Sequence, residues 1–168
     1  MSIANVYQYR GFSICAGALT KDFSKVSSNQ GIGNYSAWLF GLSGKGYLVN
    51  PITEERIPLY KDLLLDISAF KGNELHYVCE SDSAIWAAFN PSTNKYNLNV
   101  QSYQTGEYTL HNPDYDLIII PCVGTATVNQ TTLDTFKSAR LPKGKTATLN
   151  VPSSTLCAVV YLYPVNQD

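Results

Sequence analysis

Residues Leu141 to Pro164 restate an earlier stretch of the same chain, and this repetition restricts the available folds more than any other feature. Phe70-Lys71-Gly72 stands for Pro142-Lys143-Gly144, Ser81-Asp82-Ser83 for Ser153-Ser154-Thr155, and Ile85-Trp86-Ala87-Ala88-Phe89 for the apolar run Cys157 to Tyr161. The offset is 144 − 72 = 72 residues. Each copy passes from a Lys-Gly turn through an alternating strand and a small polar turn into a continuous apolar strand. Upstream, Trp38-Leu39-Phe40-Gly41-Leu42 leads to Gly44-Lys45-Gly46, much as Leu117-Ile118-Ile119-Ile120 leads to Gly124. Setting Gly46 against Gly124 gives 124 − 46 = 78, so hairpins of different length separate the matched strands. The pattern is a two-fold internal repeat of β units.

A chain of 168 residues suits one domain that buries about two thirds of its unfolded surface. The expected layout is 1–34 as N-terminal strands and an arm, 35–91 as the first repeat half, 92–116 as a connecting hairpin and 117–168 as the second half. Charged residues are only 15%, below the roughly 25% usual for soluble domains, and 12 Tyr with many Asn, Ser and Thr take their place. A net charge of −1 without clustered Lys or Arg excludes nucleic acid as the expected partner. No apolar run approaches the ~20 residues that span a bilayer, and Met1 to Asn5 lacks the start of a secretion signal, so a soluble protein made in the cytosol is expected. Cys15, Cys79, Cys122 and Cys157 all stand in strand-like apolar surroundings without Cys-x-x-Cys spacing, which predicts buried free thiols.

In chain order, Val6 to Leu19 reads as two strands about Arg10-Gly11, and Lys21 to Asn34 as a polar loop. Pro58 to Leu65 is the only helix candidate, but the alternation beside it favours strand or one helical turn. Asp66 to Phe70 and Leu75 to Val78 alternate as half-buried strands. Tyr96, Leu98 and Val100 share one face and Asn97, Asn99 and Gln101 the other, with Thr105-Gly106 as a turn, which predicts a hairpin over Lys95 to Leu110. Its Tyr-rich faces suit either an ordinary sheet surface or a contact arm.

The turn glycines and strand spacing resemble those of cupins, small jelly-roll barrels. Their first motif, laid on the second half, gives Gly124, then Gln130 and Thr132 at the histidine places, Lys137 at the glutamate place and Gly144. The second motif gives Pro152, Ser154, Cys157 at the histidine place, and Tyr161; in the first half it falls on Ser81, Ser83, Trp86 and Asn90. First-row metals need imidazole and carboxylate donors in fixed geometry, and these side chains do not supply them. The resemblance implies an all-β, cupin-like jelly roll without the family's metal, beside which a generic or lectin-like β-sandwich stands as the alternative fold.

Few residues are suited to acid-base chemistry. His76 alternates with Leu75 and Tyr77, with Glu74 on its own face, and metal-free sugar epimerases of cupin-like fold imply a His-carboxylate pair with a Tyr. An edge-strand histidine is the simpler reading. His111 with Asn112-Pro113-Asp114-Tyr115-Asp116 reads as a turn, Glu54-Glu55-Arg56 as a hairpin tip, and Gly44-Lys45-Gly46 lacks phosphate-loop spacing.

The composition is similar to that of tailed-bacteriophage virion proteins, which implies a non-enzymatic capsid cement or decoration protein. On that reading it forms a homo-oligomer such as a trimer, contacts the major capsid protein, resides in the virion, and carries no metal or cofactor. Tyr7, Phe23, Tyr96, Tyr103 and Tyr108 are its expected contact residues. The alternatives are a metal-independent cupin-like sugar isomerase or epimerase using His76, and a carbohydrate-binding jelly roll of a tail or fibre in which Trp38, Trp86 or exposed Tyr rings stack on sugar.

Overall fold

A computed structural model describes residues 3–9, 12–19, 25–26, 38–66, 75–80, 85–91 and 96–164. Every regular element among them is a strand. The first nine are β1 (Ile3–Tyr9), β2 (Phe12–Leu19), β3 (Lys25–Val26), β4 (Trp38–Ser43), β5 (Lys45–Val49), β6 (Arg56–Tyr60), β7 (Leu64–Asp66), β8 (Leu75–Cys79) and β9 (Ile85–Pro91). Eight follow: β10 (Tyr96–Tyr103), β11 (Gly106–His111), β12 (Leu117–Val123), β13 (Ala126–Val128), β14 (Thr131–Leu133), β15 (Ala139–Leu141), β16 (Thr146–Val151) and β17 (Leu156–Pro164).

These strands form four sheets, ordered β1-β2-β9-β4-β7, β3-β8-β5-β6, β10-β17-β12-β15 and β11-β16-β13-β14. The repeat is visible in the wiring. Strand β9 lies between β2 and β4 as β17 lies between β10 and β12, and β8 lies between β3 and β5 as β16 lies between β11 and β13. Even an irregularity recurs: the β4–β9 register shifts between Gly41 and Ser43, and the β12–β17 register between Pro121 and Val123. The inserted residues, Leu42 and Cys122, are both buried.

The tight turn after each bulge corrects one detail of the sequence alignment. Gly44 and Gly124 have φ of 77° and 76°, so they are the equivalent pair and the offset there is 124 − 44 = 80. Both turns need a left-handed residue between adjacent strands, which glycine supplies at little steric cost.

The chain divides into two compact units, one of Met1–Asn5 with Phe12–Ser92 and the other of Val6–Gly11 with Thr93–Asp168. In the second unit, β16 alternates strictly: Ala147, Leu149 and Val151 are buried while Thr146, Thr148 and Asn150 are exposed. The buried set packs with Leu110, Leu117, Ile119, Val128, Leu133 and Val159 as the core between its two sheets. Strand β12 is apolar at every position because both of its faces are buried.

One expectation is met and one changes. The Pro58 to Leu65 stretch is strand and turn, as the alternation beside it favours: β6 ends at Tyr60, Asp62 turns the chain with φ of 69°, and β7 begins at Leu64. Residues 96–111 do form two strands joined at Thr105-Gly106, but they are not hairpin partners. Strand β10 pairs with β17 and β11 with β16, in different sheets. Alternation fixes the face a strand presents and leaves its partner open, which is why the hairpin reading fails.

Candidate functional site

The cupin-motif positions do not assemble into a ligand set. Gln130 occupies the β13–β14 turn, Thr132 lies on β14 and Lys137 in the following loop, all exposed, whereas Cys157 is fully buried. Among the described residues no group of three or more His, Cys, Asp or Glu could hold a metal ion. Burial pushes the Cys157 thiol up from 9.0 to about 12, so it stays protonated as a packing group.

The inner face of the second unit nevertheless ends in polar atoms. The β10–β17 register sets Asn99 opposite Tyr161, Gln101 opposite Val159 and Tyr103 opposite Cys157, so this row faces the core side. Tyr103, Tyr108 and Tyr161 pack, half-buried, against the core. The hydroxyls of Tyr103 and Tyr161 both donate to Gln101 Oε1, at 3.3 and 3.2 Å. The rings of Tyr103 and Tyr108 meet edge to face with centroids 4.7 Å apart. Tyr108 Oη donates to the carbonyl of Gln104 at 2.9 Å and so clasps the β10–β11 turn.

Gly106 makes that clasp possible, because a Cβ there would lie 3.0 Å from Tyr108 Oη. Burial, and then the hydrogen bond with Tyr161, hold the Tyr103 phenol well above its ordinary value. It is therefore a proton donor and not a base at neutral pH. Among the described residues β10 and β11 are edge strands of their sheets, and beside them the Tyr103 and Tyr161 phenols are half-buried and the Gln101 amide is exposed.

The chain matches no protein-family profile and no curated protein sequence. Solved structures do match. A conserved protein of unknown function, PA5104 from Pseudomonas aeruginosa PAO1, is 13% identical with a TM-score of 0.53, covering 92% of this chain and 83% of that one. Quercetin 2,3-dioxygenase from Acinetobacter baumannii is 10% identical with a TM-score of 0.53, covering 96% and 77%. A cupin 2 conserved barrel domain protein from Leptotrichia buccalis is a more distant match, 8% identical with a TM-score of 0.45, covering 96% and 88%. The chain has a cupin-like jelly-roll fold.

This overturns the virion reading. The solved structures it resembles with a TM-score above 0.5 include bacterial proteins, an enzyme among them, and none of those named is a phage structural protein. A low-charge, Tyr-rich and Asn-rich composition does not specify a function, so it carried less information than the strand spacing did.

The other singled-out residues are dispersed over this cupin-like fold. Tyr7 lies in β1, and Tyr96 opens β10 opposite Pro164, while Phe23 and Glu74 fall outside the described residues. His76 sits on β8, in register with Lys25 and Val49. Trp38 is half-buried at the start of β4, and Trp86 belongs to β9. Asn112 Oδ1 accepts from the Asp114 and Tyr115 amides, both at 2.9 Å, and confirms the turn. Asp116 is committed to Arg140, 2.9 Å away, and to the Lys143 amide at 2.9 Å, which ties the two loop ends together. At the β5–β6 tip, Asn50 Oδ1 accepts from Ile52 N at 2.9 Å and Arg56 stacks 4.6 Å over Tyr47.

Sequence reasoning singled out Tyr103 and Tyr108 as contact residues and missed Gln101 and Tyr161 as their companions. The available signal was the inward row Asn99, Gln101, Tyr103, three polar-capped residues on one strand face next to a continuous apolar strand.

Proposed function

We propose that this cupin-like protein binds a small, uncharged, oxygen-bearing molecule, such as a monosaccharide, at the open side of its second unit, without a metal. One observation carries the reading: two phenol hydroxyls converge on a single exposed amide oxygen, that of Gln101. Gln101 is exposed, and a ligand hydroxyl or carbonyl oxygen that takes the place of its amide oxygen receives the same two O–H donors. The Tyr103 and Tyr108 rings offer apolar edges beside it, the usual pairing of stacking surface with directional hydrogen bonds in a sugar site.

The cluster as it stands orients a ligand more readily than it transforms one. Its hydrogen bonds end on an amide, which accepts a bond but does not take up a proton, and its Tyr103 phenol is held protonated. The isomerase version of the reading rests on His76, which belongs to the first unit. The fold neighbours include a dioxygenase, so the fold itself accommodates catalysis.

Calorimetric titration with glucose, galactose and rhamnose tests the proposal. Saturable binding is expected, weakened about fivefold in Tyr161→Phe, the loss of one neutral hydrogen bond. Binding that is indifferent to both Tyr161→Phe and Tyr103→Phe would overturn it, as would flat titrations with all three sugars.

A further inference from the structure

The opposite face of the same unit carries a second concavity, and its chemistry differs from that of the phenol cluster. On β16 the exposed residues Thr148 and Asn150 point away from the core formed by Ala147, Leu149 and Val151. Register places Glu107 of β11 and Thr127 of β13 on either side of Asn150. With Asn129 and Gln130 of the β13–β14 turn, these six residues line an open groove of about 430 Å³.

Three strands lie side by side under it, about 10 Å across at a spacing of about 4.8 Å per strand. The lining is two hydroxyls, three carboxamides and one carboxylate. No Lys or Arg lines it, so nothing there compensates an anion, and a lone exposed carboxylate is a weak cation ligand. Alternating hydroxyl, amide and carboxylate groups match the donors and acceptors of a neutral sugar chain.

The turn that closes the groove is strained. Asn129 and Gln130 have φ of 48° and 72°, the left-handed pair of a two-residue β-hairpin. Asn tolerates this conformation, but the second position favours Gly, and Gln there costs the fold roughly 1 kcal/mol. The turn is nonetheless fixed rigidly. Asn129 N donates to the Thr148 carbonyl at 3.0 Å, and Thr148 N donates to Asn129 Oδ1 at 2.9 Å. Gln130 thereby stands at the end of the groove, at a turn position where a glycine would serve the backbone better. Strained backbone is over-represented at functional sites, and of the non-glycine residues with positive φ only Asn129 and Gln130 line this groove.

We infer that the groove over β11, β16 and β13 binds a neutral oligosaccharide of two or three residues, with Gln130 as a specificity-determining contact. This site stands independently of the phenol cluster on the inner face. It is open enough for a chain to run through it, whereas the inner site is bounded by the core.

Amide NMR shift mapping with cellotriose and maltotriose at millimolar concentration provides the test, with Gln130→Gly as the decisive variant. At least one trisaccharide is expected to shift the amides of Glu107, Thr127, Thr148 and Asn150. Gln130→Gly is expected to weaken that binding about fivefold, while the thermal midpoint stays equal or rises because the turn strain is relieved. The fold's own response thus separates lost contact from lost structure. Shifts confined to Gln101, Tyr103 and Tyr161 would overturn this site and leave the inner one standing. No shifts with either trisaccharide, or affinity unchanged by Gln130→Gly, would also overturn it.

Discussion

Gly124 and Gly144 hold nearly the same left-handed backbone, with φ of 76° and 80°. Their surroundings differ. A Cβ on Gly124 would fall 2.5 Å from Thr155 Oγ1, whereas one on Gly144 would meet nothing within 4 Å. Thr155 has little room to yield, because it is 5% exposed and its hydroxyl donates to the Thr125 carbonyl at 3.1 Å. Alanine at 144 should therefore cost only the conformational term, about 1 kcal/mol. Alanine at 124 should add about 2 kcal/mol of overpacking. Urea denaturation of the two variants checks this, and equal midpoints would mean that the Thr155 contact is not a constraint. Both glycines were visible in the sequence as turn markers, but only coordinates separate a glycine kept for its φ from one kept also for lack of space.

At the level of strands, β16 tests how well alternation predicts energetics. Leu149 is 0% exposed within the core, and the adjacent Thr148 faces solvent. Leu149→Ala is expected to destabilise by about 2–5 kcal/mol, as removal of a buried isobutyl group does. Thr148→Ala should change stability by less than about 0.5 kcal/mol. Thermal unfolding of the pair reports whether the face assignment is right. This strand was legible in the sequence because Thr146 to Val151 alternates without a fault. Strands β10 and β11 were legible as strands for the same reason, yet their partners were not. Their pairing with β17 and β16 spans dozens of residues, and nothing in a local pattern distinguishes a neighbour in sequence from a neighbour in a sheet. The phenol cluster was missed on the same grounds, since Gln101 and Tyr161 meet only through that long-range register.

Across the whole chain, the repeat was the most informative sequence feature because it reflects two sets of strands wired alike, bulge for bulge. The same comparison separates fold from chemistry. The turn glycines that the jelly roll requires are present, while the imidazole and carboxylate donors of the cupin metal positions are replaced by Gln130, Thr132, Lys137 and Cys157. Backbone geometry constrains the first kind of residue in any protein of this shape, and only a bound metal constrains the second. The cupin-motif positions carry side chains unsuited to a first-row metal, so metal bound at those positions is not expected to contribute to stability. A metal present at a hundredfold excess over its dissociation constant stabilises by about 2.7 kcal/mol, which raises the midpoint of a 168-residue chain by about 5–10 °C. Melting curves recorded with EDTA, and with added zinc, nickel or iron(II), are instead expected to agree within about 1 °C. A midpoint that falls by several degrees in EDTA and recovers with one of these ions would place a metal centre in this chain. The ligand chemistry at both faces of the second unit would then have to be derived from that ion rather than from phenols, amides and hydroxyls.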